Sequence, residues 1–192
     1  SVGGAMAMGE AFRLIRDGYM DRVLVGGLDF NCNQNVLPGM DSFGALCTTH
    51  NDDPEGACMP FDKKRAGTCL SDGGAMIILE SEEAAQRRDA RAYCEVGGFG
   101  MSNDASHILR PLEDGVGLVS AMKDAMVLAR IHPSQINAYN CHARATLVGD
   151  AAEVAGIRAL MAAGEQCKTF EEFAQMTPED IVACASGPLP KQ

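Results

Sequence analysis

Positive charge is scarce in this chain. Its 16 Lys and Arg are outnumbered by 26 Asp and Glu, for a formal net charge of −10. An acidic chain repels phosphate backbones, which excludes nucleic acid as the main partner. Long apolar runs are also missing. None reaches the length of a membrane-crossing helix and no signal peptide opens the chain, so no membrane insertion is expected. Internal repeats and low-complexity tracts are absent too. The eight cysteines (Cys32, Cys47, Cys58, Cys69, Cys94, Cys141, Cys167 and Cys184) form no Cys-x-x-Cys pair. That spacing argues against a disulfide scaffold and against a metal centre. Cys69, Cys94 and Cys141 fall in or beside apolar, strand-like runs, so the thiols are expected to be reduced and mostly buried. Reduced thiols imply a reducing compartment, either cytoplasm or an organelle matrix such as that of a mitochondrion or plastid.

What is present suits one domain with a real core: 192 residues, 46% hydrophobic and 22% charged. Helix and strand periods alternate as a layered α/β fold requires. Ala5, Met8, Phe12 and Ile15 recur at helical spacing and predict a buried helix that ends at Asp17-Gly18. Arg22 to Gly26 reads as a short strand, followed by a long loop through Asn31, Asn33, Asn35 and Pro38. Ala75 to Leu79 is apolar without interruption, which predicts a central strand covered on both faces. Ser81 caps the next helix, with acids in its first turn and Arg87-Arg88 near its end. Ala92 to Val96 reads as another strand. Val116, Val119, Met122 and Met126 mark an amphipathic helix whose methionines belong to the core. Ile136 to Cys141 reads as a strand delivering His142, and Gly149-Asp150 opens a helix carrying Val154, Ile157 and Leu160. Beyond residue 161, Phe170 and Phe173 start a short helical segment. Thr177-Pro178-Glu179-Asp180 has the form of a helix start, and Gly187-Pro188-Leu189-Pro190 ends structure.

His142 is the first candidate for chemistry, because a histidine at the carboxyl end of a strand can orient a carbonyl or relay a proton. Its surroundings, Asn140-Cys141-His142-Ala143-Arg144-Ala145-Thr146-Leu147-Val148-Gly149-Asp150, resemble the Asn-Ala-His-Gly/Ala-Thr-Ser-Thr-Pro-x-Gly-Asp signature of β-ketoacyl-acyl carrier protein synthases. Further segments agree in order and spacing. Asn51-Asp52-Asp53-Pro54 leads to Pro60-Phe61-Asp62-Lys63-Lys64-Arg65-Ala66-Gly67, like the family's Asn-Asp-Asp-Pro and Pro-Phe-Asp-x-x-Arg-Asp-Gly. Gly100-Met101-Ser102-Asn103-Asp104-Ala105-Ser106-His107 is similar to its Gly-x-Ser-x-Asp-Ala-x-His. Gly4 to Ala11 with Val23 to Gly27 is similar to the helix and strand after its nucleophile. The resemblance covers residues 1–161 and leaves 162–192 as a diverged C-terminal segment.

The resemblance implies an α/β, thiolase-like layered fold. It would be incomplete here, with part of the N-terminal half and the start of the C-terminal half. It also implies decarboxylative Claisen condensation in fatty acid or polyketide synthesis, with no cofactor. His142 corresponds to the family's first histidine, and Ser1 falls where its nucleophilic cysteine belongs. A serine without a neighbouring base is a far weaker nucleophile than a thiol. The second family histidine has no counterpart, its nearest echo being Ala185-Ser186-Gly187-Pro188-Leu189. Among the pantetheine-binding positions Arg144 replaces a threonine and Thr146 keeps one, while His107 is a further substrate-binding candidate. These departures imply a chain that does not condense alone. The alternative is a catalytically lapsed paralogue serving as a structural subunit of a larger complex. Another protein chain is the expected partner, as homodimer or hetero-oligomer, because the family's strand equivalent to Arg22–Gly26 pairs across a dimer axis. A repacked independent domain and a longer parent protein are the other possibilities. Acyl carrier protein is a candidate partner if Arg13, Arg16, Arg22 or Lys63-Lys64-Arg65 forms a basic patch on this acidic chain. The bland reading of that last cluster is a solvated loop.

Overall fold

The computed structural model describes residues 2–185. Ser1 and the Gly187–Pro190 tail lie outside them. Helix α1 (Gly3–Arg16) packs on strand β1 (Arg22–Phe30). The contact is backbone against backbone, since a Cβ on Gly27 would lie 3.2 Å from Gly4 Cα. Only glycine lets the two elements approach so closely. β1 pairs antiparallel with β2 (Asp72–Glu80), from Arg22↔Glu80 to Phe30↔Asp72. Both strands are longer than the apolar runs that mark them, because the ladder propagates through Gly73, Gly74 and Leu28, where side-chain pattern carries little signal.

Among the described residues the sheet has two strands, and this corrects two expectations. β2 is not a covered central strand, with Met76 59% and Ile78 65% exposed. Nor is α1 buried all round, since only Gly9 and Ala11 are inaccessible in it. The physical reason is shared: α1 covers one face of the ladder and nothing described covers the other. Leu24, Leu28 and Phe30 are exposed with Met76 and Ile78, an apolar surface that favours association. The loop expected after β1 instead contains α2 (Val36–Ser42). Pro38 is tolerated there because it sits in the first turn, where its missing N–H would have had no intrahelical acceptor.

Helix α3 (Glu82–Arg87) starts as the sequence predicts, with the Ser81 hydroxyl accepting the Ala84 N–H at 3.2 Å. Just before it, Glu80 is gripped by Arg88, whose Nη2 lies 2.5 Å from Oε2, and by Arg22 across the ladder. Bonds from Arg88 first and Arg22 second hold the Glu80 carboxyl at about 2, below its ordinary 4.5. A depressed carboxylate contributes stability above its unfolded pKa and loses it as pH falls through the folded one. Wild-type stability should therefore drop between about pH 4.5 and pH 2 in a step that Glu80→Gln lacks. Urea melts of both proteins across that window check this, and superimposable pH profiles would contradict it.

The second half of the chain is helical. α4 (Val116–Ala129), α5 (Leu147–Gln166), α6 (Phe170–Gln175) and α7 (Pro178–Cys184) enclose a core of Val119, Met126, Leu160, Phe173 and Ile181. The methionine stripe of α4 is core as expected, with Met126 inside and Met122 packed against it. Reciprocal capping boxes, Thr169 with Glu172 and Thr177 with Asp180, define the starts of α6 and α7. Each satisfies otherwise unpaired backbone groups locally.

Two expected strands, Ala92–Val96 and Ile136–Cys141, are not regular strands. A strand needs a ladder partner, and none of the described residues supplies one. Their apolar side chains still pack, with Ile136 and Tyr139 lying against the core. The cysteines also depart from expectation, since none is fully buried and Cys32, Cys58, Cys69 and Cys94 are exposed. The neighbouring apolar runs in which three of them sit are themselves largely uncovered. No helix among the described residues is long and apolar enough to cross a membrane.

Candidate active site

Two distant motifs meet at the start of α5. Asp150, in its first turn, is 2% exposed. Its Oδ2 accepts the Phe61 N–H at 2.7 Å and lies 3.6 Å from Arg65 Nε. Arg65 also donates to the carbonyls of Thr146 at 3.2 Å, Leu147 at 2.8 Å and Asp62 at 2.9 Å. The planar guanidinium suits this task, because its several N–H groups reach separate acceptors without losing charge. Gly67 completes the brace by donating its N–H to the Ala145 carbonyl at 3.0 Å. Its φ of 132° and the 2.5 Å that would separate a Cβ from the Leu46 carbonyl carbon make glycine obligatory here. The Pro60–Gly67 segment thus holds the 142–147 loop against α5.

One turn further along α5, Glu153 fixes the loop from the other side. Its Oε1 accepts the His142 N–H at 2.5 Å and its Oε2 the Ala143 N–H at 3.0 Å. Ala143 and Ala145 have φ of 52° and 61°, left-handed conformations that cost an alanine roughly 1–2 kcal/mol each. Such backbone persists only where its surroundings over-determine it, as the Glu153 and Gly67 bonds do here.

His142 is exposed on this loop. Burial by nearby protein and the Arg144 cation lower its pKa below the ordinary 6.5, and Glu153 opposes them. The imidazole is therefore neutral near pH 7 and carries one N–H that can donate to an oxygen on which charge develops. Thr146 stands at the N-cap of α5 but does not use its hydroxyl to cap it. The hydroxyl lies over Gly149, where a Cβ would come within 2.4 Å of Oγ1. Cys141 is no substitute nucleophile. Burial first, then Glu153 and Asp150, raise its pKa and keep the thiol protonated.

Of the candidates, the structure brings His142, Arg144 and Thr146 together on one loop. It places His107 elsewhere, in an open depression of about 690 Å³ formed by residues 102–111. There His107 Nδ1 accepts the N–H groups of Leu109 at 3.0 Å and Arg110 at 3.1 Å, which organises that loop. Ser1 lies outside the described residues. Among the described residues these cations do not form a basic patch. Arg13 pairs with Glu10, Arg16 with Asp17 and Arg22 with Glu80, Arg65 is committed to the brace, and Lys63 and Lys64 stand alone on an exposed turn.

Glu153, Asp150 and Arg65 are organising residues to which sequence reasoning gave no role. Arg65 and Asp150 stand inside motifs already quoted, but the pairing of positions 85 apart leaves no local trace. Glu153 does carry a signal, being one helical turn after Asp150 at a helix start where carboxylates meet free N–H groups.

The family profile described as β-ketoacyl synthase, N-terminal domain, matches residues 1–85, and the one described as β-ketoacyl synthase, C-terminal domain, matches residues 93–173. The mitochondrial 3-oxoacyl-[acyl-carrier-protein] synthase of Arabidopsis thaliana is 40% identical over 81% of this chain and 34% of its own length. 3-Oxoacyl-[acyl-carrier-protein] synthase 2 of Vibrio cholerae is 40% identical over 95% of this chain and 44% of its own. A solved structure of a type II polyketide acyl-carrier protein in complex with its ketosynthase superposes with a TM-score of 0.81 at 28% identity, covering 84% of this chain and 40% of that one. The chain belongs to the β-ketoacyl synthase family and has part of its thiolase-like layered fold. It spans less than half the length of these relatives.

Proposed function

We propose that this chain supplies the first-histidine part of a β-ketoacyl-acyl carrier protein synthase site, in which His142 works with a nucleophilic cysteine and a second histidine from outside these 192 residues. The observation that carries the reading is His142 on a loop fixed by Glu153 on one side and by the Arg65–Asp150 brace on the other. In decarboxylative condensation a thioester-held acyl group is attacked by the carbanion that malonyl-carrier leaves on losing carbon dioxide. The His142 N–H would donate to the enolate oxygen as that charge forms. A donor fixed beforehand needs no reorganisation at that moment.

Around it, the Thr146 hydroxyl and the Arg144 guanidinium are assigned to the carrier's pantetheine arm and phosphate, the planar cation matching phosphate oxygens. His107 is kept as an outlying substrate contact through its Nε2, since Nδ1 is already occupied. The diverged segment 162–192 is read as serving packing through Phe173 and Ile181 of its described part. The partners are a further protein chain seated on the open β1–β2 face and an acyl carrier protein, engaged through Arg144 rather than through a basic patch, and a reducing compartment, cytoplasm or organelle matrix, is the setting. The second reading, a lapsed paralogue kept for assembly, is favoured by one feature, the bulky Arg144 beside His142.

The isolated chain is expected to form no β-ketoacyl product from acyl- and malonyl-carrier substrates above a His142→Ala control, because the Cys141 thiol is protonated and Ser1 offers a hydroxyl where the family has a thiol. Product from the chain alone would overturn the division of catalytic residues. Product from Ser1→Cys alone would show that a second histidine is dispensable.

A further inference from the structure

Away from the His142 loop, three cysteines gather where the segment before Asn51 meets the segment after Gly67. Leu46 and Thr68 are partners in an isolated parallel bridge, closed by Cys47 N–H to the Thr68 carbonyl at 2.9 Å and Thr68 N–H to the Ala45 carbonyl at 2.8 Å. The next residue along each segment is a cysteine, Cys47 on one and Cys69 on the other. Paired strands run about 4.8 Å apart. Residues one step beyond bridge partners in parallel register face each other on the same side, within the roughly 4.4–6.8 Å Cα separation that a disulfide spans. Cys47 Sγ also lies 3.5 Å from His50 Nδ1, so an imidazole stands ready to take the thiol proton. Thr49 Oγ1 lies 2.9 Å from the same nitrogen, so its hydroxyl hydrogen must turn away for Nδ1 to take the thiol proton. The Cys69 thiol is raised in pKa by burial first, then by the charges of Cys58 and Cys47 and by a hydrogen bond with the Cys58 thiol, so all three sulfurs share one neighbourhood and Cys58 competes for Cys69. No group of three or more metal-ligating side chains among the described residues is arranged to hold an ion, so the cluster is read as thiol chemistry.

We propose that Cys47, His50 and Cys69 form a redox site, in which a hydroperoxide oxidises Cys47 and Cys69 then closes a disulfide across the Leu46–Thr68 bridge. His50 accepts the Cys47 proton, and the thiolate attacks the terminal peroxide oxygen. The O–O bond breaks, the leaving oxygen takes up a proton to depart as water or an alcohol, and Cys47 becomes a sulfenic acid. Cys69 sulfur next attacks Cys47 sulfur, the S–O bond breaks, and water leaves with the Cys69 proton. Two thiols lose two electrons and the peroxide gains them. Cys69 suits the resolving step because it is exposed. Cys58 is the competing partner, and the register favours Cys47.

The test is hydrogen peroxide treatment of the reductant-free chain, alkylation, and peptide mapping without reduction. A protease cutting after Asp52, Asp53 and Glu55 is used with trypsin so that Cys47 and Cys58 fall on different peptides. The expected product is a Cys47–Cys69 linked peptide that dithiothreitol removes. It should persist in Cys58→Ser and vanish in Cys47→Ser and Cys69→Ser. His50→Gln should slow its formation on the order of tenfold at neutral pH, by removing the base that takes the thiol proton. A Cys58–Cys69 link in its place, or no link in the wild-type chain, overturns the proposal. An unchanged rate in His50→Gln overturns the assignment of His50. The wild-type map needs no variant to fold.

Discussion

Phe173→Ala is expected to lower the unfolding free energy by about 4 kcal/mol, within the roughly 3–5 kcal/mol typical of emptying a core phenylalanine site. Phe173 is 0% exposed and is the largest fully buried side chain of the helical core, beside Leu160, Ile181 and Val119. Its ring also stands edge-on to His132, with centroids 6.1 Å apart and planes at 78°. A short helix places it there. α6 starts at a capping box and ends after Gln175, so the packing of one aromatic ring does most to hold it. Domains of this size are stable by only about 5–15 kcal/mol, and the variant should unfold at markedly lower urea concentration. Phe173→Leu, which refills much of the volume, should lose less than half as much. A loss under about 1 kcal/mol in Phe173→Ala would mean that α6 is not part of the core.

Asp150→Ala should cost about 3 kcal/mol, the low end for removing one partner of a buried ion pair. Two groups lose their partner together: the Phe61 N–H its acceptor at 2.7 Å, and Arg65, whose side chain is 17% exposed, its counter-charge at 3.6 Å. Phe61 has a φ of 64°, a conformation with little reason to persist once its bond is gone. Asp150→Asn keeps an oxygen for that N–H while losing the charge, so it should cost roughly half as much. Chemical denaturation of both variants checks the ranking. Hydrogen exchange gives the local signature, since Phe61 and Gly67 should lose protection in Asp150→Ala while the Leu160 region keeps it. Equal small losses in the two variants would show that the brace is decorative.

The elements legible in the sequence are those whose signals are local. α3, α6 and α7 start at Ser81, Thr169 and Thr177, where a hydroxyl meets a backbone N–H three residues on. α4 and α5 carry apolar residues at helical spacing. Strands were less legible for a reason of physics: an apolar run specifies burial, while a strand exists only with its partner. Ala75–Leu79 found Val23–Gly27 and paired. Ile136–Cys141 carries the same kind of pattern but has no ladder partner among the described residues. Exposure follows the same logic, since Met76, Ile78 and the cysteines looked interior from composition, but burial belongs to whatever covers them. At the site, His142, Arg144 and Thr146 could be named from one continuous motif. The Glu153 clamp and the Arg65–Asp150 brace are tertiary facts, invisible until two separated motifs are seen to touch.

The central claim is that the His142 N–H stabilises charge formed during condensation. It is tested most directly by comparing wild type with His142→Ala in the assembly that the proposed site requires, with the cysteine and second histidine supplied, using malonyl-carrier decarboxylation and β-ketoacyl formation as paired readouts. Loss of one preorganised donor should lower kcat by about 10²–10³-fold, with KM for the acyl carrier little changed because Arg144 and Thr146 are intact. Unchanged kcat for both readouts in His142→Ala would contradict the account.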